Sequence, residues 1–183
     1  VIMMFMLTWR DGRAILYEKR KEDALDLPSF LEAVFMAPPT RVDGTAVFLT
    51  TGKGSVPNAM LHNLKHNKVL HERMIFLNIA DGDTPRVDDA ARVEVVTLVP
   101  EKVYKLILHY GFMEEPDVPR GLELAKAKGI DIEPLETTYF LGRTTLASGG
   151  NKGMTVWRRE LFRFMQRNSP SAAEYYKLMP ERV

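Results

Sequence analysis

Apolar and polar positions along the chain fall into blocks whose period changes, and the changes mark its elements. Residues 45 to 51, TAVFLTT, and 73 to 80, RMIFLNIA, are apolar on both faces and rich in β-branched or aromatic residues. Short runs of that kind are central strands covered on both sides. Between them Met60, Leu61 and Leu64 share one side of residues 57 to 70, which predicts a helix. Strand, helix and strand make a βαβ unit, expected to have parallel strands and a right-handed crossover. Residues 92 to 100, RVEVVTLVP, and 102 to 112, KVYKLILHYGF, alternate instead. In the second, Tyr104, Leu106, Leu108 and Tyr110 share the more apolar face. The two runs meet at Pro100 and Glu101, so an antiparallel hairpin is expected.

A helix follows over 116 to 130, with Asp117 as N-cap, Pro119 in its first turn and Gly129 as its stop. Residues 137 to 148 read as a strand, or as a bent pair around Gly142. Val156, Trp157, Leu161, Phe164 and Met165 recur at three- and four-residue steps, which predicts an amphipathic helix over 154 to 168. A short helix and tail close the chain. The order β-α-β-β-β-α-β-α predicts an α/β fold with a mixed, partly parallel sheet of about five strands and helices packed on it.

The chain opens differently. VIMMFMLTW is nearly all apolar over nine residues, and Arg10, Arg13, Lys19, Arg20 and Lys21 follow. A membrane span needs roughly 20 such residues, so this run is too short to cross. It lacks the basic start and small-residue cleavage site of a signal peptide. Two readings stand: a transmembrane helix leaving on the cytoplasmic side, where a Trp meets basic residues, or the buried opening strand of a soluble protein. A surface helix is expected over about 9 to 24, then a short helix from Ser29 to Phe35 capped by Ser29. APPTRVDG, 37 to 44, reads as a linker, because two prolines bar helix and Asp-Gly marks a turn. The expected division is therefore 1–36 and 37–183.

Composition removes whole classes of function. With 183 residues the chain holds one domain, or one domain and an appendage. It has no cysteine, which excludes disulfides, thiolate catalysis and cysteine-rich zinc sites. A net charge of +1 supplies no field for nucleic acid. Arg159, Arg163 and Arg167 form a stripe, but Glu160 sits among them, and the stripe reads as a solvated face.

Three of the four histidines crowd into LHNLKHNKVLHE, residues 61 to 72. His62 and His66 would share a helix face, a spacing zinc uses, but His71 lies past the helix end. Asn63 stands where a metalloprotease motif needs glutamate. The stretch therefore reads as structural, with Asn63, His66, Asn67 and His71 tying the helix end to neighbouring loops. Gly52, Lys53, Gly54 and Ser55 follow a strand and precede a helix, a place where backbone amides can cradle an anion. They match neither the Walker loop nor GxGxxG. No GxSxG occurs, no paired acids flank a histidine, and EEPD, 114 to 117, reads as a cap with first-turn acids. No enzyme activity, metal or cofactor is expected.

Long segments match in order: RVDGTAVFLT, MLHNLKHNKVLHERMIFLNI, YGFMEEPDVPRGLELA, TTYFLGRTTL and MTVWRRELFRFMQRNSPSAAEYYKL. Together they resemble the cytoplasmic C-terminal domain of the Kup (KUP/HAK/KT) family of potassium uptake transporters, over residues 7 to 183. The resemblance implies a low-affinity importer of potassium, coupled to protons, in the cell membrane. It implies that residues 1–36 hold the end of the last transmembrane helix and a juxtamembrane helical segment, and 37–183 the cytoplasmic domain. The ion pathway of that family lies in transmembrane helices outside this chain, so no ion-coordinating residue is carried over. Two roles follow for the domain. One is an assembly and regulatory module that packs on the transmembrane domain of its own chain or on a second copy. The other is a nucleotide sensor at the carboxyl edge of the sheet, around Gly52 to Ser55.

Overall fold

A computed structural model describes residues 1–22, 25–50, 54–130, 132–133, 136–142 and 154–182. Five strands form one sheet: β1 (Thr40–Thr50), β2 (Val69–Gly82), β3 (Val93–Val99), β4 (Val103–Gly111) and β5 (Thr137–Phe140). Their order is β3-β4-β2-β1-β5. β1 runs parallel to β2 and to β5, β2 runs parallel to β4, and β3 and β4 are the antiparallel pair. The α/β class, the parallel first unit and the hairpin follow the sequence expectation.

Period-two alternation places the core on both faces. Val47, Ile75, Leu77, Leu106 and Leu108 face α5 (Val118–Lys126), whose Val118, Leu122 and Ala125 are buried against them. Ala46, Phe48, Met74 and Phe76 face the other way, toward α2 (Leu27–Met36) and α3 (Asn58–Asn67). Leu27, Leu31, Val34 and Met60 complete that second layer. Both-sided cover explains why the central strands read as unbroken apolar runs.

Several boundaries move, each for a local reason. β1 starts at Thr40, so most of the expected linker is strand. The register is irregular between Val42 and Thr45. Gly44 there has φ +94, and a Cβ on it would lie 2.7 Å from the Glu136 carbonyl oxygen. β2 starts at Val69, because Lys68 takes the left-handed conformation (φ 56) and turns α3 straight into the strand. His71 is thus a strand residue. The cap of α2 is Asp26, not Ser29: its carboxylate accepts from the Ser29 backbone N–H at 3.1 Å and from the Ser29 hydroxyl at 2.7 Å. Pro28 then falls in the first turn, where a missing N–H costs nothing. Asp117 caps α5 as expected, accepting from the Arg120 N–H at 2.9 Å. A one-turn α4 (Asp89–Arg92) precedes β3. Of the strand expected over 137 to 148, residues 143–148 lie outside the described ones.

The apolar opening is helical: α1 spans Ile2–Glu22. No helix among the described residues is long and apolar enough to cross a membrane. The expected amphipathic helix is α6 (Val156–Arg167), and α7 (Ala172–Tyr175) is held by a capping box between Ser171 and Glu174. The chain packs as two compact units, Val1–Leu25 with Arg143–Pro170, and Asp26–Gly142 with Ser171–Val183. α2 therefore groups with the sheet, and α6 groups with α1.

Candidate functional site

The carboxyl edge of the parallel strands is where an open α/β sheet binds ligands, at the point where strand order reverses. Here β1 leads to β2 and then outward to β4, whereas β5 returns to the far side of β1. The reversal lies between β1 and β5. On the β1 side, Gly52 and Lys53 lie outside the described residues. Gly54 (φ +88) accepts the Leu27 N–H at 3.0 Å through its carbonyl, and Ser55 forms an antiparallel bridge with Asp26. These two residues thus pair with the start of α2. The Asp26 carboxylate, held below its usual range by its bonds to Ser29, puts a negative charge beside them.

The histidine stretch separates into two environments. Asn63 is buried on α3, where its side-chain N–H donates to the Val69 carbonyl at 3.2 Å. Asn67 donates to the Asn63 side-chain oxygen at 2.7 Å. With the Lys68 N–H on the Leu64 carbonyl at 3.1 Å, these bonds fasten the end of α3 to the start of β2. His62 and His66 stack with ring centroids 5.8 Å apart on an exposed face. His71 is half-buried, its ring edge-on to Phe140 at 5.7 Å, and Arg41 donates to its carbonyl at 2.9 Å. Its Nδ1 is buried with no hydrogen-bond partner among the described residues, and burial pushes its pKa down. No three His, Asp or Glu side chains among the described residues gather as a metal site.

Among the described residues the most perturbed acid lies elsewhere, over the end of β4. Glu114 accepts from Arg92 at 2.8 Å, from the Gly111 N–H at 2.8 Å and from the Val87 N–H at 3.0 Å. The Arg92 guanidinium, followed by the two amides, holds its carboxyl at about 2. Arg92 also donates to Asp89 at 3.0 Å and to the Val87 carbonyl, and lies over the Tyr110 ring at 4.9 Å. Tyr110 closes the arrangement: its hydroxyl donates to the Asp117 carbonyl and accepts the Asp117 N–H at 3.0 Å. The chain from Thr84 to Pro85 crosses close above, accepting from Phe112 at 3.0 Å and Met113 at 3.1 Å. A perturbed carboxylate is a usual mark of a reactive site. This one is paired with Arg92 and accepts two backbone N–H groups, so it fastens two loops.

By its sequence, EEPD predicts a helix cap that includes Glu114. It lies instead in the turn before α5, and Asp117 alone caps that helix. Nothing in the sequence marks Arg92, because a single arginine ahead of a strand looks like any surface cation. The one available signal was Gly111. A Cβ there would sit 2.3 Å from the Pro85 carbonyl oxygen, so the strand end had to be glycine for a loop to cross it.

Residues 43–183 match the model of a family described as the K+ potassium transporter C-terminal domain. The probable potassium transport system proteins Kup of Verminephrobacter eiseniae and Methylibium petroleiphilum are each 46% identical over 178 residues, 97% of this chain and 28% of theirs. A protein of the same description from Herminiimonas arsenicoxydans is 42% identical over 183 residues, all of this chain and 29% of its own. The chain thus spans little more than a quarter of the length of these relatives. No solved structure matches it. The family match over residues 43–183 and the identity to these relatives along 97% or more of the chain show that the chain belongs to the family of potassium transporter C-terminal domains.

Proposed function

We propose that this chain is the cytoplasmic regulatory and assembly part of a low-affinity potassium uptake transporter that couples potassium entry to protons. In this reading α1 continues the last transmembrane helix, and the sheet unit packs on the transmembrane domain of its own chain or on a second copy. By itself the chain moves no ion. The observation that carries the reading is the carboxyl end of β4, where Glu114, the most perturbed acid among the described residues, is tied into bonds from Arg92, Gly111 and Val87. The relatives' printed descriptions as potassium transport system proteins supply the cargo. The test is potassium uptake by the full-length protein in a transport-deficient cell, with and without residues 37–183. A membrane-inserted deletion whose rate or potassium dependence changes supports the role. Unchanged uptake at equal membrane abundance would remove it.

A second reading, a nucleotide sensor, is favoured by the reversal of strand order between β1 and β5. Isothermal titration with adenine nucleotides, including cyclic dinucleotides, separates the two. Binding heat that disappears in Ser55→Ala supports the sensor, and no heat at millimolar ligand ends it.

A further inference from the structure

The α1–α6 unit has one apolar end, and two helices build it. α6 runs parallel to α1. Arg158 donates to the Thr8 hydroxyl at 3.2 Å and to Asp11 at 2.9 Å. Four residues further along α6, Phe162 packs on Trp9 with ring centroids 5.4 Å apart and on Gly12. A Cβ on Gly12 would meet the Phe162 ring at 2.3 Å, so that glycine is what lets the helices approach. Parallel packing brings the first turn of α6 level with the end of the apolar run of α1. Trp157 (55% exposed) then extends the exposed apolar surface of Met3, Met4 and Leu7, and a shallow groove joins it to them, with an apolar floor and a rim made by Arg10, Asp11 and Arg158. Val156 (69% exposed), its neighbour in the first turn of α6, stands free outside the groove.

We infer that this end of the helix pair is a lipid-interface anchor, with Trp157 and Val156 at the boundary of headgroups and acyl chains of an anionic bilayer. It rests on the reading that α1 continues a transmembrane helix. What it adds is that α6, some 150 residues later in the chain, enters the same interface. Three observations favour lipid over a protein partner. Tryptophan is the residue that prefers this boundary, and both tryptophans of the chain, Trp9 and Trp157, lie at this end. Arginines 10 and 158 rim the groove just beyond the apolar surface, at the depth of lipid phosphates, with only Asp11 to offset them. The relatives described as potassium transport proteins are more than three times as long as this chain, so the greater part of such a protein lies outside it.

Trp9→Phe leaves Trp157 as the sole tryptophan, and Trp157→Phe leaves Trp9. Each 183-residue variant is mixed with vesicles of phosphatidylcholine and phosphatidylglycerol brominated near the carboxyl end of the acyl chain. The expected result is a blue shift and strong quenching of Trp157, both lost when Val156→Asp is added. Quenching of Trp9 without quenching of Trp157 overturns the anchor and leaves the transmembrane reading of α1 standing. Quenching of neither overturns both. A blue shift of Trp157 without quenching means that protein covers it, and also overturns the anchor. Circular dichroism confirms that each variant folds. If Trp9→Phe does not fold, the difference in quenching between the unaltered chain and Trp157→Phe decides the same question.

Discussion

Replacing Glu114 with alanine removes the acceptor of three bonds at once, from Arg92, Gly111 and Val87. The Glu114 side chain is only 17% exposed and that of Arg92 only 10%, so water repairs the loss poorly. A broken buried pair costs about 3–5 kcal/mol, and each stranded amide about 1 kcal/mol or more. Arg92 keeps Asp89 and the Val87 carbonyl, which lowers the total. The expected loss is about 3 kcal/mol. With a urea slope of about 2 kcal/mol/M, the midpoint falls by about 1.5 M. Circular dichroism of the sheet is the readout, since Trp9 and Trp157 both belong to the other unit. Glu114→Gln keeps one acceptor and loses about half as much. The pH dependence has a defined sign. The folded carboxyl titrates at about 2, below its ordinary 4.5, so its contribution is complete above about 4.5 and vanishes as pH falls through 2. The unaltered chain should lose stability between pH 5 and pH 2 more steeply than Glu114→Gln. A loss below about 1 kcal/mol in Glu114→Ala, or identical acid profiles, would mean that the Arg92–Glu114 pair does not hold these loops.

His71 has its pKa lowered by burial, so the folded state resists its protonation; stability is full above about 6.5 and falls below it. His71→Phe should therefore gain melting temperature over the unaltered chain by more at pH 5 than at pH 8. Lys68 sits at φ 56, and Lys68→Gly should raise stability by up to about 1 kcal/mol in urea titration. Gly111→Ala must push Pro85 aside and should cost about 2–3 kcal/mol, with faster amide exchange at Phe112 and Met113. Asn63→Ala should cost about 1–2 kcal/mol in thermal melts, whereas His66→Ala, on the exposed face, should cost less than about 0.5 kcal/mol.

How much of this the sequence revealed depends on the range of the forces involved. The two-sided runs around Phe48 and Phe76 announced central strands, because burial on both faces is written in every residue. Asp117 announced its helix, because a cap acts across three residues. The start of β2 was hidden, since Lys68 turns the chain in a conformation that lysine does not advertise. The Glu114 cluster was hidden for a different reason: Arg92 and Glu114 meet only after the sheet brings them together from 22 residues apart. The pairing of α6 with α1 was equally silent. α6 announced an apolar stripe, but Phe162, its one fully buried residue, lay outside the stripe read from the periodicity. The stripe holds Trp157 and Phe164, both of which stay exposed.

That pairing sets a schedule for the ribosome. Asp11 and its partner Arg158 are 147 residues apart. At a synthesis rate of about 5–20 residues per second, α1 is complete roughly 7–30 seconds before the helix that fits it exists. Through that interval Thr8, Gly12 and Leu16, the face later closed by α6, are without their partner, while the sheet has time to form. A chaperone or the insertion machinery has its longest opportunity to hold α1 then. Slowing translation within α6 should lengthen that interval without touching any contact of the finished fold.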